Sequence, residues 1–223
     1  MLDKTKTDGI LGKKVNKYLL EKGVETPLIN NWHFSTDEYK IEQISKSFEN
    51  IMHELGLDLG DDSLIGTPDR VGKMFVNELF WGLDYENFPK ITTVENKMNY
   101  DEMIIEKNIK SYSACEHHFV IIDGFAHIAY IPNKVVLGLS KMNRIVEYFS
   151  RRPQIQERLV EQIYYAMEYI LGTEDIAVMI DAEHYCVKSR GVNDTNSNTI
   201  TSKLGGIFKK QEVRNEFLSL IKI

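Results

Sequence analysis

The 223-residue chain is short of cysteine, of positive charge and of long apolar runs. Each shortage narrows what it can be. No stretch approaches the ~18 apolar residues expected of a membrane-spanning helix. The polar start Met1–Gly9 does not read as a secretory signal. The two cysteines can pair as a disulfide or simply fill apolar space. Without an export signal, a reducing cytoplasm is the expected setting, and thiols there more often serve metals or catalysis than bridges. A net charge of −6 argues against a general nucleic-acid binder, which carries a basic surface. A local basic cluster in such a chain points instead to a small anionic ligand. No internal repeat or low-complexity segment is present. Hydrophobic residues make up 43% and charged residues 27%, which suits one sizeable soluble domain, or a domain with an appended helical piece.

The scarce cysteines sit in distinctive company. Cys115 opens Cys115-Glu-His-His118, and Cys186 closes His184-Tyr-Cys186, so two short stretches hold both cysteines and three of the six histidines. A Cys-x-x-His spacing lets one tight turn aim Cys115 and His118 at a single point. Cys186 can add a third ligand if the fold returns it. Two thiolates and an imidazole suit Zn²⁺, and three protein ligands leave a position for water, as in catalytic sites. His117 and His184 then stand beside the ligands as spare imidazoles. If 184–190 is extended, His184, Cys186, Lys188 and Arg190 share one face by the two-residue period of a strand.

Along the chain, Ile10, Leu11, Val15, Tyr18 and Leu19 have helical spacing before Gly23. Ser35 and Glu38 fit a capping box ahead of a helix striped with Ile41, Ile44, Phe48, Ile51, Met52 and Leu55. His33 and His53 read as surface or packing residues. Thr67-Pro68 reads as an N-cap and first-turn proline of a helix running toward Gly82. Arg70 lies in that first turn, as an anion contact or a solvated arginine. Segments 91–94, 103–112 and 119–131 read as strands, the last two joined through the Cys115–His118 turn, with a bulge at Asp123-Gly124 and the sheet section ending at Pro132-Asn133. His127 reads as a packed or surface residue. Ser140 is placed to cap a helix that buries Met142, Ile145, Val146 and Phe149. Lys141 and Arg144 share a face near its start, which makes either a polyphosphate cradle or an ordinary capped helix with exposed cations. Arg151-Arg152-Pro153 breaks it, and a longer helix opens at Gln154 and ends at Gly172, with Gln156 and Glu157 in its first turn. Segments 175–186 and 199–208 read as strands and 212–221 as a closing helix. Helices gathered at the front, with helix pairs beside antiparallel strands, give an α+β class.

With these residues assembled, the chain resembles the GTP cyclohydrolase I family, of the bacterial type. The resemblance runs from Gly23-Val-Glu-Thr-Pro-Leu28 to the last helix. It is carried by Thr67-Pro-Asp-Arg70, Cys115-Glu-His-His118, Gly138-Leu-Ser-Lys141, Ser150-Arg-Arg-Pro-Gln-Ile-Gln-Glu-Arg158 and His184-Tyr-Cys-Val-Lys-Ser-Arg-Gly191, in the family's order. It implies a tunnelling fold, an antiparallel sheet backed by two antiparallel helices, over 90–223, with an N-terminal helical extension over 1–89. It also implies a homodecamer of two stacked pentamers with pockets between subunits. The implied reaction takes GTP and water to 7,8-dihydroneopterin triphosphate and formate, the first step toward folate-type pterins. Cys115, His118 and Cys186 would be zinc ligands, with zinc-activated water directed at C8 of guanine. His117 and His184 would transfer protons. Ser140, Lys141, Arg144, Arg190 and Arg70 resemble the triphosphate and ribose contacts, and Glu157 with Gln156 the base-recognition site. Two other readings stand beside this one. A pterin- or purine-binding protein with a structural zinc would not need the His117/His184 pair. The nitrile reductase relatives lack the zinc triad and use a nicotinamide cofactor, for which no dinucleotide glycine motif is present.

Overall fold

A computed structural model describes residues 2–29 and 35–222; His33 lies outside the described residues. Helix α1 (Gly9–Glu21) is capped by Asp8, whose carboxylate accepts the Leu11 N–H at 3.0 Å. It lays fully buried Val15 and Leu19 into the main core. Gly12 is required there, because a Cβ would sit 2.1 Å from the Tyr85 carbonyl oxygen. Helix α2 (Asp37–Glu54) is capped by Thr36 and not by Ser35: the Tyr39 N–H donates to Thr36 Oγ1 at 3.2 Å. The helix begins at Asp37, so Thr36 is the residue just before its first turn and Tyr39 the third helical position that its hydroxyl reaches. Of the α2 stripe only Met52 is buried, while Ile51 stays 51% exposed. Helix α3 (Thr67–Met74) starts one residue earlier than expected, with Gly66 as N-cap and Thr67 inside the first turn. It does not run straight to Gly82. It widens into a π-helical turn over Phe75–Leu79, followed by short 3₁₀ segments at Trp81–Leu83 and Tyr85–Asn87.

The β-structure divides in two. Strand β1 (Thr93–Glu95) pairs with β4 (Val135–Leu137) in a small antiparallel ribbon, so strand structure continues past Pro132-Asn133. The main sheet contains β2 (Ile104–Cys115), β3 (Ile121–Tyr130), β5 (Pro153–Gln154), β6 (Ile176–His184) and β7 (Thr199–Leu204), in the order β5-β2-β3-β6-β7. All neighbours are antiparallel except β5 with β2. Ala126, Ile128, Tyr130, Ile176, Val178 and Ile180 alternate onto the face covered by α4 (Leu139–Ser150) and α5 (Gln156–Leu171). The opposite face, with Ala129, Ala177 and Met179, is covered by Phe208 and by Phe217 and Ile221 of the closing helix α7 (Gln211–Ile221). This is an α+β architecture.

Two strand details differ from expectation. The register shift lies in β2 between Glu106 and Ile109, where Asn108 takes a φ of 59°, and not at Asp123-Gly124. Gly124 pairs regularly; its role is clearance, since a Cβ would lie 2.2 Å from the Asp181 carbonyl oxygen. The bulge instead directs the Asn108 N–H to Nδ1 of buried His127, at 3.4 Å.

Where α4 ends, Arg152 is fully buried. Its guanidinium stands 4.8 Å from the ring centres of Tyr85, Tyr148 and Phe149 and pairs with Glu25 at 2.8 Å. The predicted helix break is thus also an anchor for the segment after α1. No helix among the described residues is long and apolar enough to cross a membrane.

Candidate metal centre and the residues around it

The end of β2 and the chain just beyond β6 meet at one corner of the sheet. Cys115 is the last residue of β2; its N–H donates to the Val120 carbonyl at 2.8 Å, and the Phe119 N–H closes the turn onto the Cys115 carbonyl at 2.8 Å. Phe119 adopts a φ of 55°, a conformation few non-glycine residues accept. Its ring packs at 6.1 Å from Phe75 and 5.5 Å from Phe80, so the segment after α3 buttresses the turn.

Cys186 arrives by a route the period-two argument did not foresee. Strand β6 stops at His184, and Tyr185–Lys188 form a single helical turn, α6, closed by the Ser189 N–H on the Tyr185 carbonyl at 2.9 Å. The reason is that β6 runs out of partners: Ile122↔His184 is its last pair with β3, and Ala182↔Thr199 its last with β7. His184, Cys186, Lys188 and Arg190 therefore do not share one extended face. Lys188 instead turns to Glu183 at 2.8 Å.

The turn brings the ligand atoms of Cys115, His118 and Cys186 within 4.8 Å of one another. Both thiols are free. Burial, ahead of the neighbouring Cys115 thiol, pushes the Cys186 thiol up. Two soft sulfurs and one imidazole converging without a carboxylate among them are the donor set of a zinc-type site. The His117 ring is solvent-exposed and brings Nδ1 to 3.7 Å from the Cys115 sulfur.

His184 is held differently. Its Nε2 lies 2.7 Å from Oε1 of Gln156. The amide of buried Gln156 is oriented by three oxygens around its Nε2: Thr199 O at 2.8 Å, Ile180 O at 3.1 Å and Thr201 Oγ1 at 3.1 Å. Its oxygen must then face His184 as acceptor, so neutral His184 carries its proton on Nε2 and presents a bare Nδ1. Burial pulls the His184 imidazole down, with Glu157 opposing. Exposed Glu157 thus stands within electrostatic reach of His184, and Arg190 within reach of Cys186.

The other expected contacts lie elsewhere in the same chain. Ser140 and Lys141 are in the first turn of α4, whose N-cap is Gly138 and not Ser140. Arg144, a turn later, borders a cavity with Trp81, Asn87 and Glu147. The far end of α4 leads through Arg151-Arg152 to Pro153, which pairs with Ala114 beside Cys115. Within α4, which ends at Ser150, Lys141 lies about 14 Å and Arg144 about 9 Å along the helix from that far end, at 1.5 Å per residue. Arg70 folds over Gly66, close enough for its Nη2 to meet an added Cβ at 3.1 Å.

One pair went unassigned in the sequence. Arg158, in the first turns of α5, forks onto Glu116 with Nη1–Oε2 at 2.5 Å and Nη2–Oε1 at 3.3 Å. Both residues stand inside the quoted motifs; the signal that marks them is a charge inside the Cys-x-x-His spacing and an opposite charge at the start of α5.

The family model described as GTP cyclohydrolase I matches residues 44–222. Proteins called GTP cyclohydrolase 1 from Aeromonas hydrophila and Aeromonas salmonicida are each 54% identical over 209 residues, which covers 93% of this chain and 95% of theirs. A protein of the same description from Escherichia coli O1:K1 is 53% identical over 209 residues, 93% of this chain and 94% of its own.

Proposed function

The chain belongs to the GTP cyclohydrolase I family, and from that premise we propose that it converts GTP and water to 7,8-dihydroneopterin triphosphate and formate. The observation that carries the proposal for this chain's own residues is the convergence of Cys115, His118 and Cys186 within 4.8 Å, beside two imidazoles that are not part of the donor set. These three residues would hold Zn²⁺. A bound zinc ion supplies Lewis acidity and a water that is nucleophilic near neutral pH.

The protein supplies the rest. His184, locked by Gln156 with Nδ1 bare, takes up or returns a proton at that atom, and His117 does so from the open side of the turn. Proton transfer of this kind contributes about 10²- to 10⁴-fold. Glu157 accepts the adjacent ring N–H and amine of guanine, and Gln156 serves base recognition by holding His184 in register with it. Arg190, Lys141, Arg144, Arg70 and Ser140 carry the triphosphate and ribose.

Lys141 stands about 14 Å up α4 from the helix end nearest the metal turn of its own chain, and Arg144 opens on a different cavity with Trp81, Asn87 and Glu147, which favours a pocket completed by a second copy. The assembly we propose is a homodecamer of two stacked pentamers built on a tunnelling fold over 90–223, with 1–89 as a helical extension. The five-stranded sheet backed by α4 and α5 supports that fold. The two free thiols fit a cytoplasmic setting. The test is metal analysis of the purified protein together with incubation with GTP, reading formate and, after oxidation, a fluorescent pterin. Cys186→Ser should lose both zinc and turnover. Full zinc occupancy in that variant removes Cys186 from the ligand set.

A further inference from the structure

We propose that Arg158 is a positioning residue for the metal turn: its forked ion pair with Glu116 fixes the backbone from which Cys115, His117 and His118 project. The inference rests on the reading of Cys115, His118 and Cys186 as a metal site. Glu116 sits between the first ligand and the two histidines, so whatever holds Glu116 holds all three. Arg158 holds it by two parallel contacts, 2.5 and 3.3 Å, with side chains only 16% and 24% exposed. At that exposure, water competes weakly for the pair, and the planar guanidinium imposes direction as well as charge. The Glu116 N–H adds a second tether, donating to the Gln154 carbonyl of β5 at 3.0 Å.

The turn needs such support. Phe119 holds a left-handed backbone, φ 55°, and strain of this kind persists only where the surroundings over-determine it. The rings of His117 and His118 are exposed and touch each other edge to face at 6.3 Å, so core packing does not orient them. Arg158 itself does not depend on the pair, because the next turns of α5 are fixed by buried Leu159, Val160 and Ile163.

The same helix start also registers the other half of the site. Gln156 binds His184, two residues before Cys186. Residues 156–158 thus hold the metal turn through Arg158 and the His184 ring through Gln156 from one rigid element. Because Glu116 neutralises it, Arg158 acts through geometry and not through a free charge aimed at substrate.

The experiment compares zinc retention in wild type, Arg158→Met, Arg158→Lys and Glu116→Gln, by competition with a chromophoric chelator, with Co²⁺ absorption as a report on ligand geometry. Outer residues that orient metal ligands typically change affinity by about 10- to 100-fold. Arg158→Met is expected to lose zinc in that range and to alter the Co²⁺ spectrum, with helix content and oligomeric state unchanged. Arg158→Lys, which keeps charge but not the fork, should remain impaired. If Arg158→Met does not assemble, Glu116→Gln, of equal shape, gives the same reading. Wild-type zinc affinity in Glu116→Gln and Arg158→Met, or in Arg158→Lys alone, overturns the positioning role. Absence of zinc binding by the wild-type protein overturns the metal reading itself, and is a distinct result.

Discussion

Replacing Gln156 by leucine tests whether a buried amide sets the working state of His184, the histidine proposed to transfer protons. The change preserves approximate volume and removes one acceptor and one donor group. On the donor side, Ile180 O, Thr199 O and Thr201 Oγ1 lose a partner. A buried unpaired polar group costs about 1–3 kcal/mol. Thr199 is exposed, so water can reach its carbonyl, and the loss should fall near 1–2 kcal/mol. On the acceptor side, His184 loses the 2.7 Å contact that assigns its Nε2 proton, and its ring is free to change tautomer and rotamer. A misplaced acid–base group forfeits about 10²-fold or more in kcat, equivalent to about 2.7 kcal/mol of barrier. Stopped assays of formate and pterin against GTP concentration should therefore show kcat down by about 10²-fold, KM little changed and zinc retained. Gln156→Glu should invert the pattern. It keeps an acceptor toward His184 but sets oxygen against the Ile180 and Thr199 carbonyls, so it should harm stability more and turnover less. A zinc-replete Gln156→Leu enzyme with wild-type kcat would refute the reasoning.

Glu157→Gln keeps size but replaces one acceptor by a donor; GTP turnover should fall by about 10²-fold or more if the carboxylate reads two guanine donors, and normal turnover with continued rejection of ATP would place base selection elsewhere. Arg144→Ala should raise KM for GTP, while wild type handles guanosine poorly; equal use of GTP and guanosine contradicts a triphosphate role for this cluster. Glu25→Gln leaves the buried Arg152 cation unpaired and should cost about 3–5 kcal/mol in urea unfolding, with the Glu25→Leu/Arg152→Met double variant recovering part of it. Burial lowers the His127 pKa from 6.5, against Asp181 and aided by Lys107. The unfolded chain then binds this proton first, so stability should fall as pH drops through 6.5, and His127→Gln should flatten that slope.

What the sequence made legible was local. The stripe Met142, Ile145, Val146 and Phe149 lies within one helix, and all four are buried. Cys115 and His118 needed only a turn. The path of Cys186 was not legible, because whether 184–190 stays extended depends on where β3 and β7 end, not on its own residues. Ser35 and Thr36 carry the same chemistry one position apart, and three-residue β4 is too short to leave a pattern. Periodicity identified the apolar face of α2 without saying how little of it one chain covers. The donors and acceptors around Gln156 are 24 to 45 residues away, beyond any spacing rule. The family resemblance supplied roles where the residues alone left a balance, at Arg70, Lys141 and Arg144.

The length of α4 has a genetic consequence. The first half of this helix offers Lys141 and Arg144, while its far end leads to the strand beside Cys115. In the proposed ring each chain is half of two different pockets. Alleles damaged at opposite ends should then complement one another: in a random equal mixture of Cys186 and Arg144 variants, roughly a quarter of the pockets draw both intact halves. A chain damaged at both ends does the reverse. Assembled equally with intact chains, it leaves roughly a quarter of the pockets whole instead of half, so it subtracts activity from its neighbours as well as its own.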